Sequence, residues 1–325
     1  MKRLALALFV LTSAARAESV LFIGDSLTGE KTVATNEDMP AVLKRLAAAR
    51  SEAVTFSEAI DLGQTLQTNW DAGIPQKFLT GDTQWDFISY QEFSTLPTSK
   101  PAAFDSTATQ TYEPSLARSL AAGGQVLLFE NWALANVSPF PNRAANVAAL
   151  DQAYASLSKQ LTVPNAISPI GGAFEAVFQT KPESYLIQAD GKHPTDAAIY
   201  LNACVFYAMT FHESPVGLPA LFLAQADATF LQGIVAQVTA VSAPDAGTPA
   251  DAGTPPDAGT PDPTDAGTVT DAGLPGTQAP AAAPPASNQG CSSAGIGGAL
   301  FGLLALIRRR GARGSRRWTS RHSEP

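Results

Sequence analysis

Cysteine is nearly missing from this 325-residue chain. The two present, Cys204 and Cys291, fall in different regions, so no internal disulfide framework and no thiolate metal cluster can be assembled from them. Cys204 lies in an apolar stretch and reads as a small buried hydrophobe. Histidine is almost as scarce, with His193, His212 and His322. Long apolar runs are missing too. The two candidates, 4–11 and 294–307, fall short of the roughly 20 residues a spanning helix needs. Charge is thin at 15%, and the basic residues gather at the ends. Without Lys2, Arg3, Arg16, the seven arginines after Ile307 and Glu324, 11 of the 21 Lys and Arg remain against 28 of the 29 Asp and Glu, a net charge near −17. Such a surface repels nucleic acid and anionic membranes. No cofactor is expected: the stretch Gly24-Asp25-Ser26-Leu27-Thr28-Gly29 lacks the G-x-G of a dinucleotide fingerprint.

What is present supports one sizeable core with appendages, at 45% hydrophobic residues. Residues 1–17 read as a secretory signal, with Lys2 and Arg3 before a short apolar run and Ala15-Arg16-Ala17 as the cleavage site. Residues 18–242 carry the alternation of a folded domain. Val20-Leu21-Phe22-Ile23 is a continuous apolar run that stops at Gly24-Asp25-Ser26. This pattern predicts a parallel strand buried on both faces. Further strands are predicted at 53–59, 85–90, 125–129 and within 163–170. Helices are predicted at 40–50, 69–79, 112–122, 144–161, 195–211 and 224–241, with a long Ser/Thr/Pro loop over 91–104 and a turn-rich segment before 190–193. Strands and helices in this rhythm predict an α/β fold, a three-layer α/β/α sandwich with a five-stranded parallel sheet.

In open α/β sheets the reactive groups lie past the carboxyl ends of the strands, and Ser26 falls there after the first strand. Asp25 and Ser26 are also good helix-capping residues, so the tripeptide by itself fits a plain strand-to-helix turn as well. A serine needs a base to take its proton, and the base needs an orienting carboxylate. Asp190-Gly191-Lys192-His193-Pro194 offers both at a three-residue spacing. His322 lies in the arginine-rich tail and His212 at the end of a helix, so His193 is the base by elimination if a Ser-His mechanism operates.

The two stretches together resemble the SGNH (GDSL-type) hydrolase superfamily. In that family a Gly-Asp-Ser near the mature amino terminus supplies the nucleophile and an Asp-x-x-His near the domain's end completes the triad. The resemblance spans about 19–240 and implies a flavodoxin-like sandwich and an esterase activity, with Ser26, His193 and Asp190 as the triad. Leu62-Gly63-Gln64-Thr65-Leu66 matches the family's glycine block. The Gly-x-Asn-Asp block is replaced by Ser89-Tyr90-Gln91-Glu92, as in a branch with glutamine for asparagine. The implied oxyanion hole is the backbone N–H of Ser26 and of Gly63 with the side chain of Gln91.

Residues 243–289 repeat Asp-Ala-Gly at Asp245, Asp251, Asp257, Asp265 and Asp271 and hold no aromatic residue. Such a segment cannot bury enough apolar surface to offset its ordering entropy and reads as an extended acidic linker. Residues 290–325 follow: Gly290-Cys291, a 14-residue apolar run, then Arg308-Arg309-Arg310 and four more arginines. This tail resembles the MYXO-CTERM sorting signal of myxobacterial surface proteins. The resemblance implies a transient stay in the membrane, processing near Cys291 by a sorting protease, and display on a Gram-negative cell surface. The sequence therefore predicts a secreted or surface-displayed serine esterase acting on a small ester or acylated carbohydrate, acetyl esters first. A lipase or thioesterase of the same superfamily is the neighbouring alternative. A non-catalytic carbohydrate-binding or surface protein on the same scaffold is the alternative from another class.

Overall fold

The computed structural model describes residues 17–136 and 139–240. The expected signal segment, the linker 243–289 and the tail with Cys291 lie outside the described residues. Among the described residues no helix is long and apolar enough to cross a membrane.

The chain alternates as the pattern predicts. Strand β1 (Glu18–Gly24) leads into α1 (Ser26–Gly29) and α2 (Met39–Ala48), then β2 (Val54–Ile60) and α3 (Leu66–Asp71). Strand β3 (Trp85–Tyr90) is followed by α4 (Leu96–Ser99), α5 (Pro101–Ser106), a π-turn over Thr107–Tyr112 and α6 (Glu113–Ser119). Strand β4 (Leu120–Phe129), α7 (Arg143–Gln160), β5 (Asn165–Ser168) and α8 (Ile170–Phe178) come next, and α9 (Asp196–Phe211) and α10 (Gln225–Val238) close the domain. The five strands form one sheet in the order β2-β1-β3-β4-β5, all pairs parallel. That is the flavodoxin-like order, in which the ligand crevice lies over the switch between β1 and β3.

Successive side chains of a strand point to opposite faces, and β1 shows what this does to composition. Val20 and Phe22 enter the core formed with α2, α8, α9 and α10, while Leu21 and Ile23 enter the core formed with α3, α5 and α7. Both faces are covered, so the strand must be apolar throughout. Helix α9 lies wholly inside: 13 of its 16 residues are buried. Phe206 sits at its centre, with ring centroids 5.3 Å from Phe22 and 5.9 Å from Phe129, tying the helix to β1 and β4. Cys204 is buried and unpaired in the same helix. His212 ends the helix in the left-handed conformation (φ 54°).

Three local expectations are corrected. The helix expected at 69–79 is α3 followed by a separate 3₁₀ turn at Pro75–Lys77. Thr65 caps α3 by accepting from the Thr68 N–H, and Gly73, at φ 72°, breaks the chain away. The loop at 91–104 holds α4 and α5, each with a proline in its first turn. The helix expected to stop at Gly123-Gly124 ends at Ser119, and the two glycines belong to β4. There the register against β3 shifts between Trp85 and Phe87. A Cβ on Gly124 would stand 2.8 Å from the carbonyl oxygens of Trp85 and Asp86, so this pair of glycines serves an irregular strand rather than a helix end.

Phe206→Ala removes the aromatic bridge between α9 and two strands. It is expected to lower the unfolding free energy by about 3–5 kcal/mol, measured by urea unfolding of the full chain. A change below 1 kcal/mol would show that α9 packs on the sheet independently of this ring.

Candidate active site

The turn after β1 carries the serine. Asp25 is the N-cap of α1: its Oδ1 accepts from the Leu27 N–H at 2.9 Å, and Ser26 is the first residue of the helix. Helix capping and the placement of Ser26 at the strand end are thus one arrangement. Ser26 is 5% exposed, and its Oγ lies 3.0 Å from His193 Nε2. On the other side of the ring, His193 Nδ1 is hydrogen-bonded to Asp190 Oδ2. Asp190 Oδ1 accepts from the backbone N–H of Lys192 (2.9 Å) and of His193 (3.0 Å). Partial burial would raise the Asp190 pKa, but the His193 ring and these two N–H groups outweigh it and hold the carboxyl down at about 2. Ser26, His193 and Asp190 are therefore brought into one chain of contacts across 167 residues of sequence.

The histidine loop is fixed from outside the sheet. Ile187 and Pro194 pair as an antiparallel bridge, and the Gln188 N–H donates to the His193 carbonyl at 2.8 Å. Trp132 Nε1 donates to the Lys192 carbonyl (3.2 Å), and the Ala135 N–H donates to the Gly191 carbonyl (3.0 Å). Trp132 is fully buried and stacked on Phe174 at 4.2 Å. The stretch Glu130-Asn131-Trp132 after β4 thus holds the Asp190–His193 loop from behind. Lys192 Nζ stands 5.6 Å from the Phe93 ring centroid.

Gly63 falls where the glycine block predicts, on the turn after β2, at φ 74° and with open space where a Cβ would be. The backbone N–H groups of Ser26 and Gly63 carry no hydrogen bond within the described residues. Gln91 is different, and the expectation that its amide faces an oxyanion is corrected. Gln91 is fully buried under the serine turn. Its Oε1 accepts from the Asp25 N–H (2.7 Å) and from Thr28 Oγ1 (3.1 Å). Its Nε2 donates to Asp25 Oδ1 (2.8 Å) and to the Glu92 carbonyl (2.6 Å). The Asp25 N–H can only donate, which fixes the orientation of the amide. Both amide hydrogens are committed, and none is left for a substrate.

This placement also explains Gly24. The sequence reading gives it the sharp bend of the turn, but its φ is ordinary; a Cβ there would meet Gln91 Oε1 at 2.5 Å. Glycine is required by the close approach of the glutamine.

Glu92 is the residue that sequence reading passes over. It is fully buried, and its Oε1 accepts from the N–H of Leu66 (3.0 Å) and of Phe93 (2.7 Å). Its Oε2 is buried without a partner. Burial raises its pKa to about 7 despite the two N–H donors, and the Asp25 charge adds to the rise. Desolvation likewise raises Asp25, against the pull of the Leu27 N–H and Gln91. The one sequence signal for Glu92 is an acid placed directly after an apolar strand, before a loop.

No protein-family model matches the sequence, and no curated protein matches it by sequence. Solved structures do match by shape. A DUF4886 family protein from Bacteroides uniformis superposes with a TM-score of 0.57 at 15% identity, covering 71% of this chain and 98% of that one. The likeness is one of fold, a five-stranded all-parallel sheet with helices on both faces. An acetylxylan esterase from Geobacillus stearothermophilus (TM-score 0.45, 16% identity, 58% of this chain and 92% of that one) also matches, as does an esterase from a Pseudoalteromonas species (0.44, 14%, 60% and 97%). In this α/β fold Ser26, Gly63 and the Asp190–His193 loop stand at the carboxyl edge of the sheet, after β1, after β2 and before α9.

A group whose folded pKa is raised stabilises the fold fully below its unfolded pKa and loses that contribution as pH rises through the folded value. For Glu92 the window runs from about 4.5 to about 7. Glu92→Gln cannot ionise, so its stability relative to the parent should grow across that window by on the order of 3 kcal/mol. Urea unfolding of both proteins at pH 4.5 and pH 8 measures the gap; an equal gap at both would mean that burial does not hold the proton on Glu92.

Proposed function

We propose that the chain is a serine esterase that hydrolyses carboxylic esters through Ser26, His193 and Asp190. The observation that carries the reading is the 3.0 Å contact of Ser26 Oγ with His193 Nε2, the other ring nitrogen being held by Asp190. Ser26 Oγ attacks the ester carbonyl carbon while His193 Nε2 takes its proton. The negative charge that develops on the carbonyl oxygen is met by the free backbone N–H groups of Ser26 and Gly63. The C–O bond to the alcohol then breaks, and the imidazolium returns the proton to the leaving oxygen. Water repeats the sequence on the acyl-serine and releases the acid. Asp190, ionised far below neutral pH, fixes the tautomer that leaves Nε2 as acceptor and stabilises the imidazolium. The fold adds the access: the serine stands past the carboxyl end of β1, where a substrate reaches it without opening the sheet.

The substrate class proposed is an acyl ester of a polar alcohol, acetyl groups on carbohydrate before lipids, in keeping with a strongly acidic mature chain. Export through residues 1–17 and surface display through Cys291 and the arginine tail complete the proposal.

Ser26→Ala should abolish hydrolysis of p-nitrophenyl acetate and labelling by a fluorophosphonate while leaving the unfolding midpoint within a few degrees. Asp190→Asn should reduce kcat/KM by on the order of 10⁴-fold, as loss of the orienting carboxylate does in other triads. Labelling that persists in Ser26→Ala, or near-normal turnover in Asp190→Asn, would refute these roles. For the tail, Cys291→Ala expressed in a bacterium with a cognate sorting system should shift the protein from the surface to the medium or leave it unprocessed. Unchanged mass and location would remove Cys291 from the proposal.

A further inference from the structure

The turn that carries Gly63 is short and exposed; the Gln64 N–H closes it on the Asp61 carbonyl at 3.3 Å, and two further hydrogen bonds tie it to its surroundings. On one side the Asp61 N–H donates to the Gly24 carbonyl at 3.1 Å, which ties the turn to the end of β1. On the other side the Leu66 N–H, the first of α3, donates to Glu92 Oε1 at 3.0 Å. The same oxygen accepts from the Phe93 N–H at 2.7 Å, so one buried atom joins the start of α3 to the chain leaving β3. Between the two ties the backbone turns through the left-handed conformation at Gly63, with Leu62 and Gly63 exposed and nothing packed where a Cβ would be.

We infer that Glu92 is a positioning residue for the proposed hydrolysis: its carboxyl anchors the Gly63 turn against the end of β3, so that the Gly63 N–H stays aimed at the oxyanion. This rests on the esterase reading given above. The physical argument is one of preorganisation. A donor aids a developing charge only if it needs no reorganisation when the charge appears, and an exposed glycine turn closed by one long backbone hydrogen bond of 3.3 Å is only weakly restrained by itself. Glu92 supplies the restraint from inside, where water cannot compete for the Leu66 N–H. The element it holds is itself secured, since Tyr112 Oη donates to the Leu66 carbonyl (2.8 Å) and Asn69 Nδ2 donates to the Gly24 carbonyl (3.1 Å). The anchor uses one oxygen, which both a neutral acid and a carboxamide retain. The groups that act on the Glu92 charge are Asp25 from the serine turn and, as tyrosines that the charge acts on in turn, Tyr90 of β3, Tyr112 of the π-turn and Tyr154 of α7.

The test compares the full chain with Glu92→Ala and Glu92→Gln, using active-site titration by a fluorophosphonate to normalise kcat on p-nitrophenyl acetate, and amide hydrogen exchange over residues 61–66. Glu92→Ala should lower kcat per titrated site at least tenfold with KM within about threefold, and should speed exchange of the Leu66 N–H. Glu92→Gln should restore both to within about threefold of the parent. A role in stability alone would lower the titrated fraction and the unfolding midpoint but leave kcat per site unchanged, and that result overturns the inference. So does an equal loss of kcat in both variants with exchange unchanged. If Glu92→Ala does not fold, Glu92→Asp, one methylene short of the Leu66 N–H, takes its place with the same expectations. If the parent shows no Ser26-dependent hydrolysis, the esterase reading has failed, and the exchange rates still decide whether Glu92 anchors the turn.

Discussion

A carboxylate, a carboxamide and a second carboxyl are packed under the Ser26 turn with almost no access to water, and the site depends on how their polar atoms are paired. Asp25 is 1% exposed and Gln91 and Glu92 are fully buried. An unpaired amide at such depth would cost several kcal/mol, so the hydrogen bonds of Gln91 admit few alternatives. Gln91 gives one oxygen to the Asp25 N–H and both of its amide hydrogens to Asp25 and the Glu92 backbone. This fixes where β1 ends relative to β3, and therefore where Ser26 begins its helix. The glycine before Asp25 is the steric consequence: the glutamine oxygen occupies the space that a methyl group would need.

The same logic extends outward from β3. Three loops meet at the carboxyl edge of the sheet, and each is tied to another segment as well as within itself. The Gly63 turn is tied to Gly24 and Glu92, the Ser26 turn to Gln91, and the His193 loop to Trp132 and Ala135 after β4. A parallel sheet makes this possible because it delivers all its strand ends to one side. Much of the constellation is thus held by main-chain groups whose positions follow from the strands. The Ser26–His193–Asp190 contacts then need only local precision, such as the short Asp190-x-x-His193 loop in which one carboxylate accepts from two N–H groups and from the ring.

What the sequence determined on its own is what depends on period and local chemistry. The unbroken apolar run Val20-Leu21-Phe22-Ile23 in β1 reported burial on both faces, and the alternation of strands with helices reported the sandwich. The serine turn and the Asp-x-x-His loop were legible because each works through neighbours within three residues. The tertiary structure alone decided what Gln91, Glu92, Gly24 and Gly124 do. Gln91 at a family oxyanion position, judged by type and spacing, should face substrate; it faces Asp25, because its extra methylene carries the amide beneath the turn and the buried Asp25 N–H and carboxylate claim it. Glu92 reads as an ordinary loop acid until the Leu66 N–H is brought to it from 26 residues away. Gly24 and Gly124 look like turn and helix-end residues, whereas each is required by an atom from a neighbouring strand or the loop beyond it. Hydrogen bonds and close approaches between segments distant in sequence leave no periodic trace in either segment, so they become visible only when the sheet has brought the segments together.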